Sequence, residues 1–418
     1  MSVTIEPGQR IATLDIIRGV AVMGIFGVNV IAFAMPMQAY FNPSAYGLSS
    51  PADLVLWFAT FILIDGKMRG LFSLLFGASM LLVIERAETR GRSAADIHYS
   101  RMFWLLVLGC IHYYLIWFGD ILTLYALTGM IAYLFRGKAV RALLLWALGF
   151  LVVDLVFLAA GAWQFFAAEA AARAPGASAE AVSTWHSMSG EFAPPDSRAL
   201  ADDLALHLGP WTGIVRAQLT DGLFGPLFQL GFGLLETLGY MLLGMAGLKS
   251  GFLRGAWDDA RYRRIAAWTM AVSIPAYAVF AWIEWRSGFD VALFFFIFFV
   301  ATAPFRLAMM VGYAALIILL SRRGGWLVQR IAAAGRAAFT NYLGASLIAT
   351  AIFYGFGLGL YGQLSRLEAW LIAPAMWVVM LLWSKPWLDR FNYGPFEWLW
   401  RSLARRGIQP MRRAAVPA

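Results

Sequence analysis

Residues 62–77 read I-L-I-D-G-K-M-R-G-L-F-S-L-L-F-G. Apolar sequence continues on both sides, yet Asp65, Lys67 and Arg69 sit near the middle. The full run, 52–84, is far longer than the roughly 20 residues one straight helix needs to cross a bilayer. It is too short for two spans and a loop. It therefore reads as one crossing, broken near Gly66 and Gly70, with charges at the break. Irregular backbone at membrane depth persists only where protein or a water-filled cavity covers it. Ionisable residues at that depth mark functional candidates. The break is expected to form the floor or wall of a site.

Composition sets the class around this stretch. Only 14% of the residues are charged and 61% are hydrophobic, against about 25% charged in soluble domains. The chain reads as an all-α, polytopic membrane bundle. The first apolar run follows one Arg and has no small-residue cleavage site, so it is expected to stay as a span. The single Cys110 excludes an intramolecular disulfide.

Ten crossings are expected, at 13–34, 52–84, 102–118, 121–135, 142–165, 222–248, 265–283, 291–320, 337–361 and 367–384. With the N-terminus inside, the inner segments hold 24 Lys and Arg and the outer ones hold 5. The positive-inside rule favours this orientation, with both termini cytoplasmic. Splitting 52–84 in two would destroy the alternation. The net charge of +9 is then an orientation signal able to meet anionic membrane lipids, and no nucleic-acid partner is implied. Four basic residues remain inside spans: Arg18, Lys67, Arg69 and Arg306. Arg306 follows Pro304 in a second long crossing, expected to be kinked by the proline. Buried charges normally pair, and Asp15, Asp53, Asp65, Asp120, Asp154 and Glu236 are the expected partners.

The chain divides at this level into membrane helices with the polar motifs (1–165), an extracytoplasmic loop (166–221), C-terminal membrane helices (222–384) and a basic tail (385–418). The loop is acidic, with short helices expected near 169–172 and 198–207, and suits either a lid over an outward-facing site or a plain cover. In the tail, Trp398 and Trp400 suit a short interfacial helix. Gly-rich helix faces and Trp-rich edges allow a homodimer.

Three spans carry candidate chemistry. The first places Arg18, Val22, Ile25 and Asn29 on one face, with Gly19, Gly24 and Gly27 permitting close helix contact. Arg18 either contributes to a site or simply pairs with Asp15. The third reads H-Y-Y-L-I-W-F-G-D-I-L-T-L-Y-A-L. His112 is a satisfied core histidine or a general base, oriented by a carboxylate such as Asp120 or Asp53. The ninth opens G-R-A-A-F-T-N-Y-L-G-A-S, where Asn341 either caps and packs or meets a cytosolic cofactor. No His/Cys/carboxylate cluster has metal-ligand spacing, and no phosphate-binding or nucleophile-elbow motif is present.

These motifs, with R-I-A-T-L-D-I-I-R-G-V-A-V-M-G-I-F-G-V-N, G-K-M-R-G-L-F-S-L-L-F-G and G-P-F-E-W-L-W-R, resemble the YeiB-like bacterial membrane proteins. The C-terminal half of that family is a domain of unknown function. The resemblance covers nearly the whole chain and implies the inner membrane of a bacterial cell. A more distant similarity is to transmembrane acyltransferases that include heparan-glucosaminide acetyltransferase. In those proteins an Asn ends the first span, a catalytic His follows in the outer loop, and an Asp opens the next span. Asn29 matches the Asn, and Asp53 in S-P-A-D-L-V-L-W-F matches the Asp. Residues 35–51 contain no His, so His112 would supply the base from another helix.

The similarity implies an acyl-CoA-type donor and a lipid or extracytoplasmic acceptor. Lys67 and Arg69 would then hold donor phosphates or stabilise a developing oxyanion. Asp65, Arg306, Asn29, Arg18 and Asn341 complete the expected binding set. A transporter or flippase for an anionic small molecule or lipid uses the same broken spans and charges. A scaffold or sensor needs no ligand chemistry at all.

Overall fold

The computed structural model describes residues 11–190 and 192–413. The helices in chain order are α1 (Ala12–Ala34), α2 (Met37–Phe41), α3 (Pro51–Leu63), α4 (Lys67–Glu88), α5 (Ala94–Leu115), α6 (Leu122–Ala132), α7 (Val140–Arg173), α8 (Ala179–Ser189), α9 (Ser197–His207) and α10 (Trp211–Thr220). They continue as α11 (Gly225–Lys249), α12 (Asp259–Arg286), α13 (Val291–Phe295), α14 (Ala303–Ser321), α15 (Trp326–Arg336), α16 (Ala338–Phe353), α17 (Arg366–Trp370), α18 (Ile372–Arg390) and α19 (Pro395–Ala404). No strand occurs among the described residues. An isolated bridge pairs Phe391 with Arg412.

Seven helical segments are long and apolar enough to cross a membrane, counting α3 and α4 together as one of 38 residues. They coincide with seven of the ten expected crossings. The other three fall on α5, α6 and α16, which are more polar or shorter. The long helices differ in what surrounds them. In α1, 67% of the most apolar window is buried, whereas in α7 and α12 only 22% is. The uncovered faces of α7 (Leu145, Val156, Trp163) and α12 (Trp268, Val272, Trp282) are apolar. Such bands belong against lipid tails.

α1 is the core helix because glycine opens it on three sides. Gly19 meets the Ile331 carbonyl of α15, Gly24 meets Met68 of α4, and Gly27 meets the Trp377 ring of α18. Trp370 and Trp377 donate indole N–H groups to the carbonyls of Gly27 and Met23. The sequence expectation of close contact at these glycines holds, with a different neighbour at each.

A second close crossing joins α4 to α11. Gly77 faces the Met241 carbonyl, and Gly244 faces the Leu74 carbonyl. Any side chain at either position would force the backbones apart. Arg69 precedes Gly77 by about two turns, and Glu236 precedes Gly244 by the same interval. The crossing therefore sets these two charges opposite each other.

The loop is more helical than its composition suggests. Residues 169–172 finish α7 instead of forming a separate helix, 198–207 fall within α9 as expected, and α8 and α10 are additional. α19 forms at the tail as expected, with Trp398 and Trp400 half-buried. The Pro304 kink takes another form. A π-helical turn at Phe296–Ala301 comes first, and the proline sits in the opening turn of α14, where its missing N–H leaves no bond unmade.

Candidate functional site

At the break between α3 and α4, Gly66 adopts φ 70°, a left-handed conformation that suits glycine at a helix end. A Cβ there would also approach the Arg306 Cδ to 2.6 Å. Ending α3 frees carbonyls that need partners away from water. The Lys67 ammonium donates to the Phe61 carbonyl at 2.5 Å, and the Tyr313 hydroxyl donates to the Leu63 carbonyl at 2.8 Å. Lys67 is fully buried, with its Nζ 3.4 Å from the centre of the Tyr277 ring. Its positive charge favours the carbonyl end of α3 and the face of the tyrosine ring. This corrects its expected role: Lys67 caps the break and does not line the adjoining cavity.

Arg69 and Arg306 converge on Glu236. Arg69 pairs with Oε2, Arg306 with Oε1 at 2.9 Å, and the Tyr240 hydroxyl donates to Oε1 at 3.0 Å. Both carboxylate oxygens are thus engaged. Ser73 and Tyr125 donate to the Arg69 carbonyl. Arg306 also donates to the Phe298 carbonyl within the π turn at 3.3 Å, so the irregular turn and the ionic cluster are one construction. Asp65 accepts from the Tyr40 hydroxyl at 3.2 Å and lies within electrostatic reach of Lys67, Arg306 and Arg69.

A cavity of about 950 Å³ opens beside this cluster, near the top of the range for small-molecule pockets. Arg69, Glu236, Arg306, Asp65 and Asn29 lie on its polar side, and Asp154 and Asp120 also reach it. Its remaining walls are mainly aromatic and aliphatic, from α7, α11, α13 and the π turn. Ser187 and Met188 of α8, with Phe192, close one flank, so the loop covers the cavity. Arg69 keeps about a third of its side chain accessible, while Arg306 and Glu236 are nearly enclosed.

At another edge, Asp120 holds His112. The imidazole Nδ1 lies 2.9 Å from Oδ1, and Thr123 N–H donates to Oδ2 at 2.8 Å. His112 is fully buried, and its Nε2 has no hydrogen-bond partner. Trp117 lines the cavity 6.4 Å from the imidazole, measured between ring centres. Tyr342 lies 5.2 Å away on the same measure, and its hydroxyl bonds to the 119–121 hairpin. A carboxylate on Nδ1 favours the tautomer whose Nε2 lone pair is free to accept a proton.

Three expected site residues are built into the scaffold. Asp53 is not a partner of His112. Its carboxylate accepts from the N–H and hydroxyl of both Ser49 and Ser50, and from the Leu367 N–H. It is the acid of a capping box on α3, tied to α17. Asn341 donates to the Ala334 carbonyl and the Ser384 hydroxyl and accepts from Trp383, joining α15, α16 and α18. Arg18 bonds Asp15, Ser79 and the Gly335 carbonyl. None of these three lines the cavity. Sequence reasoning does not single out Tyr240, Tyr40 or Gln229, the last of which lines the cavity and donates to the Phe118 carbonyl. Only Tyr240 carried a signal, four residues after Glu236 on one helix face.

Among the described residues, no group of three or more His, Cys, Asp or Glu is placed to hold a metal ion.

Residues 247–407 match a family model described as "Protein of unknown function (DUF418)". The chain is 33% identical to "Uncharacterized protein YeiB" of Escherichia coli (strain K12), over 96% of this chain and 98% of that protein. It is 30% identical to "Uncharacterized protein YxaH" of Bacillus subtilis (strain 168), over 97% and 96% respectively. No solved structure matches.

Proposed function

The chain belongs to the YeiB-like family with the DUF418 domain, and from that premise we propose that it is a bacterial inner-membrane acyltransferase, moving an acyl group from an acyl-CoA-type donor to a lipid or extracytoplasmic acceptor. The observation that carries this reading is one cavity bringing together a large apolar wall and Asp120, the carboxylate that holds His112. The apolar wall suits an acyl chain or a lipid tail. His112 Nε2 takes the proton from an acceptor hydroxyl or amine as the acceptor attacks the thioester carbonyl. The carbon–sulfur bond breaks, and the thiolate leaves with the proton returned from the imidazolium. Asp120 supports the cationic imidazole between these steps. Arg69, the most accessible cation on the cavity wall, stabilises the oxyanion.

The reaction requires acceptor access to Nε2, which Trp117 and Tyr342 surround. Purified protein supplied with labelled acetyl-CoA and a pool of lipids and glycans is expected to transfer label, and His112→Ala and Asp120→Asn to abolish the transfer. No transfer by the unaltered protein, together with no CoA-dependent thermal stabilisation, overturns the reading.

A transporter or flippase is the second reading, favoured by one feature. The α3–α4 break and the π turn both border the cavity, and interrupted crossings around a midplane site suit alternating access. Uptake into proteoliposomes that depends on Arg69, with no acyl turnover, selects it.

A further inference from the structure

Away from the cavity, α19 packs across α5 at the end of the bundle where basic residues concentrate. The Trp400 indole donates to the Arg101 carbonyl at 2.8 Å, and the Ser100 hydroxyl donates to the Ala404 carbonyl at 2.8 Å. This docking brings Arg401 and Arg405 beside Arg101, with Arg18 of α1 also in electrostatic reach. The Arg18 charge is answered by Asp15. Arg101 is half-buried and makes no ion pair among the described residues. The partner of its guanidinium is the Trp400 ring, 4.1 Å from the ring centre. Arg405 meets the amide of Gln409, not a carboxylate. The acid on α19, Glu397, turns the other way and accepts from Phe339 N–H, Thr340 N–H and the Thr340 hydroxyl.

Like charges gathered on two packed helices repel, and a partly buried guanidinium without an anion is unfavourable. Cations at the C-terminal end of α19 suit its dipole, which accounts for Arg401 and Arg405. It does not account for Arg101, which belongs to another helix. Three guanidinium groups, with Arg101 on the Trp400 face and Arg401 on the Tyr393 face, are suited to a phosphate oxyanion.

We infer that Arg101, Arg401 and Arg405, on the α5–α19 junction, form a binding site for a phosphate group. The phosphate comes either from an anionic phospholipid headgroup or from a soluble phosphorylated ligand such as coenzyme A. The second source rests on the acyltransferase reading. Arg101 lies on the same helix as His112, about 16 Å along its axis, so a bound donor would be anchored there and extend toward the dyad. In the cavity, Glu236 already neutralises part of the Arg69 and Arg306 charge, which leaves the junction as the better phosphate site.

The test is binding, not turnover. Full-length protein in nanodiscs of phosphatidylcholine is titrated with coenzyme A. In a second arm, phosphatidylglycerol replaces part of the lipid and its retention through purification is measured. Coenzyme A or phosphatidylglycerol is expected to bind, with affinity reduced about tenfold in R101Q and in R405Q. R101K is expected to recover part of the loss, and R198Q, in the loop, to bind as the unaltered protein does. Arg405 is exposed, so R405Q tests the site even if R101Q fails to fold. Dependence in the first arm identifies a soluble ligand, and in the second a lipid. Binding that is absent from both arms, or unchanged in R405Q and in folded R101Q, overturns the inference. Because neither arm requires acyl transfer, failure of the enzymatic reading leaves the lipid arm standing.

Discussion

Two buried polar centres adjoin the same cavity and are built on opposite principles. Around Glu236, two guanidiniums and a phenol use both carboxylate oxygens. At the α5–α6 hairpin, Asp120 is engaged on both oxygens, but His112 beyond it keeps one nitrogen without a partner. A carboxylate paired on both oxygens in a low-dielectric interior holds helices together, even with the Arg306 Nε left without a partner, and breaking it leaves stranded charge. An oriented imidazole with a free nitrogen adds little to that framework, yet is poised to take a proton. The Glu236 cluster therefore reads as the clamp on the broken α3–α4 crossing, and the His112–Asp120 pair as the reactive centre.

The sharpest way to break this contrast is His112→Ala. Acyl transfer is expected to fall by about 10²–10⁴-fold, with a stability loss of about 1–3 kcal/mol because Asp120 keeps only the Thr123 N–H, read by label transfer and thermal unfolding of the same preparation. A stability loss as large as that of the Glu236 variant would put both centres in the structural class. Glu236→Gln is the complementary test. It leaves Arg69 and Arg306 without their carboxylate and should destabilise the protein by about 3–5 kcal/mol, followed by thermal unfolding in detergent. Gly66→Ala strains the left-handed turn and presses on Arg306, for an expected loss of about 1–3 kcal/mol. Thermal unfolding in detergent reads the loss. The smallest effect is expected for Asp53→Asn, about 1 kcal/mol through the weakened cap of α3, with transfer unchanged. Reduced transfer without reduced stability would return Asp53 to the site.

The break in 52–84 was legible because a bilayer imposes a length on a helix and the run exceeds it. The glycines of the first span were legible as contact points, though not what they would touch. The assignment of Asp120 to His112 was legible because a hairpin brings nearby residues together. Asp53 misled, since an acid three residues after a serine at a helix start can serve as a cap or as a site, and only its neighbours distinguish the two. Lys67 misled in the same way. A lysine next to a helix break can face a cavity or turn back onto the freed carbonyls, and the Tyr277 ring favours the second course.

From the sequence by itself follow the all-helical membrane class, the position of the interrupted crossing and the gathering of basic residues into alternate segments between the apolar runs. These depend on composition and on distance along one helix, which are local quantities. Tertiary structure alone decided which charges meet. Arg69 and Glu236 lie 167 residues apart in the chain, and they face each other because Gly77 and Gly244 let two helices cross at backbone contact. The partner of a buried charge is set by that crossing, which sequence spacing does not encode.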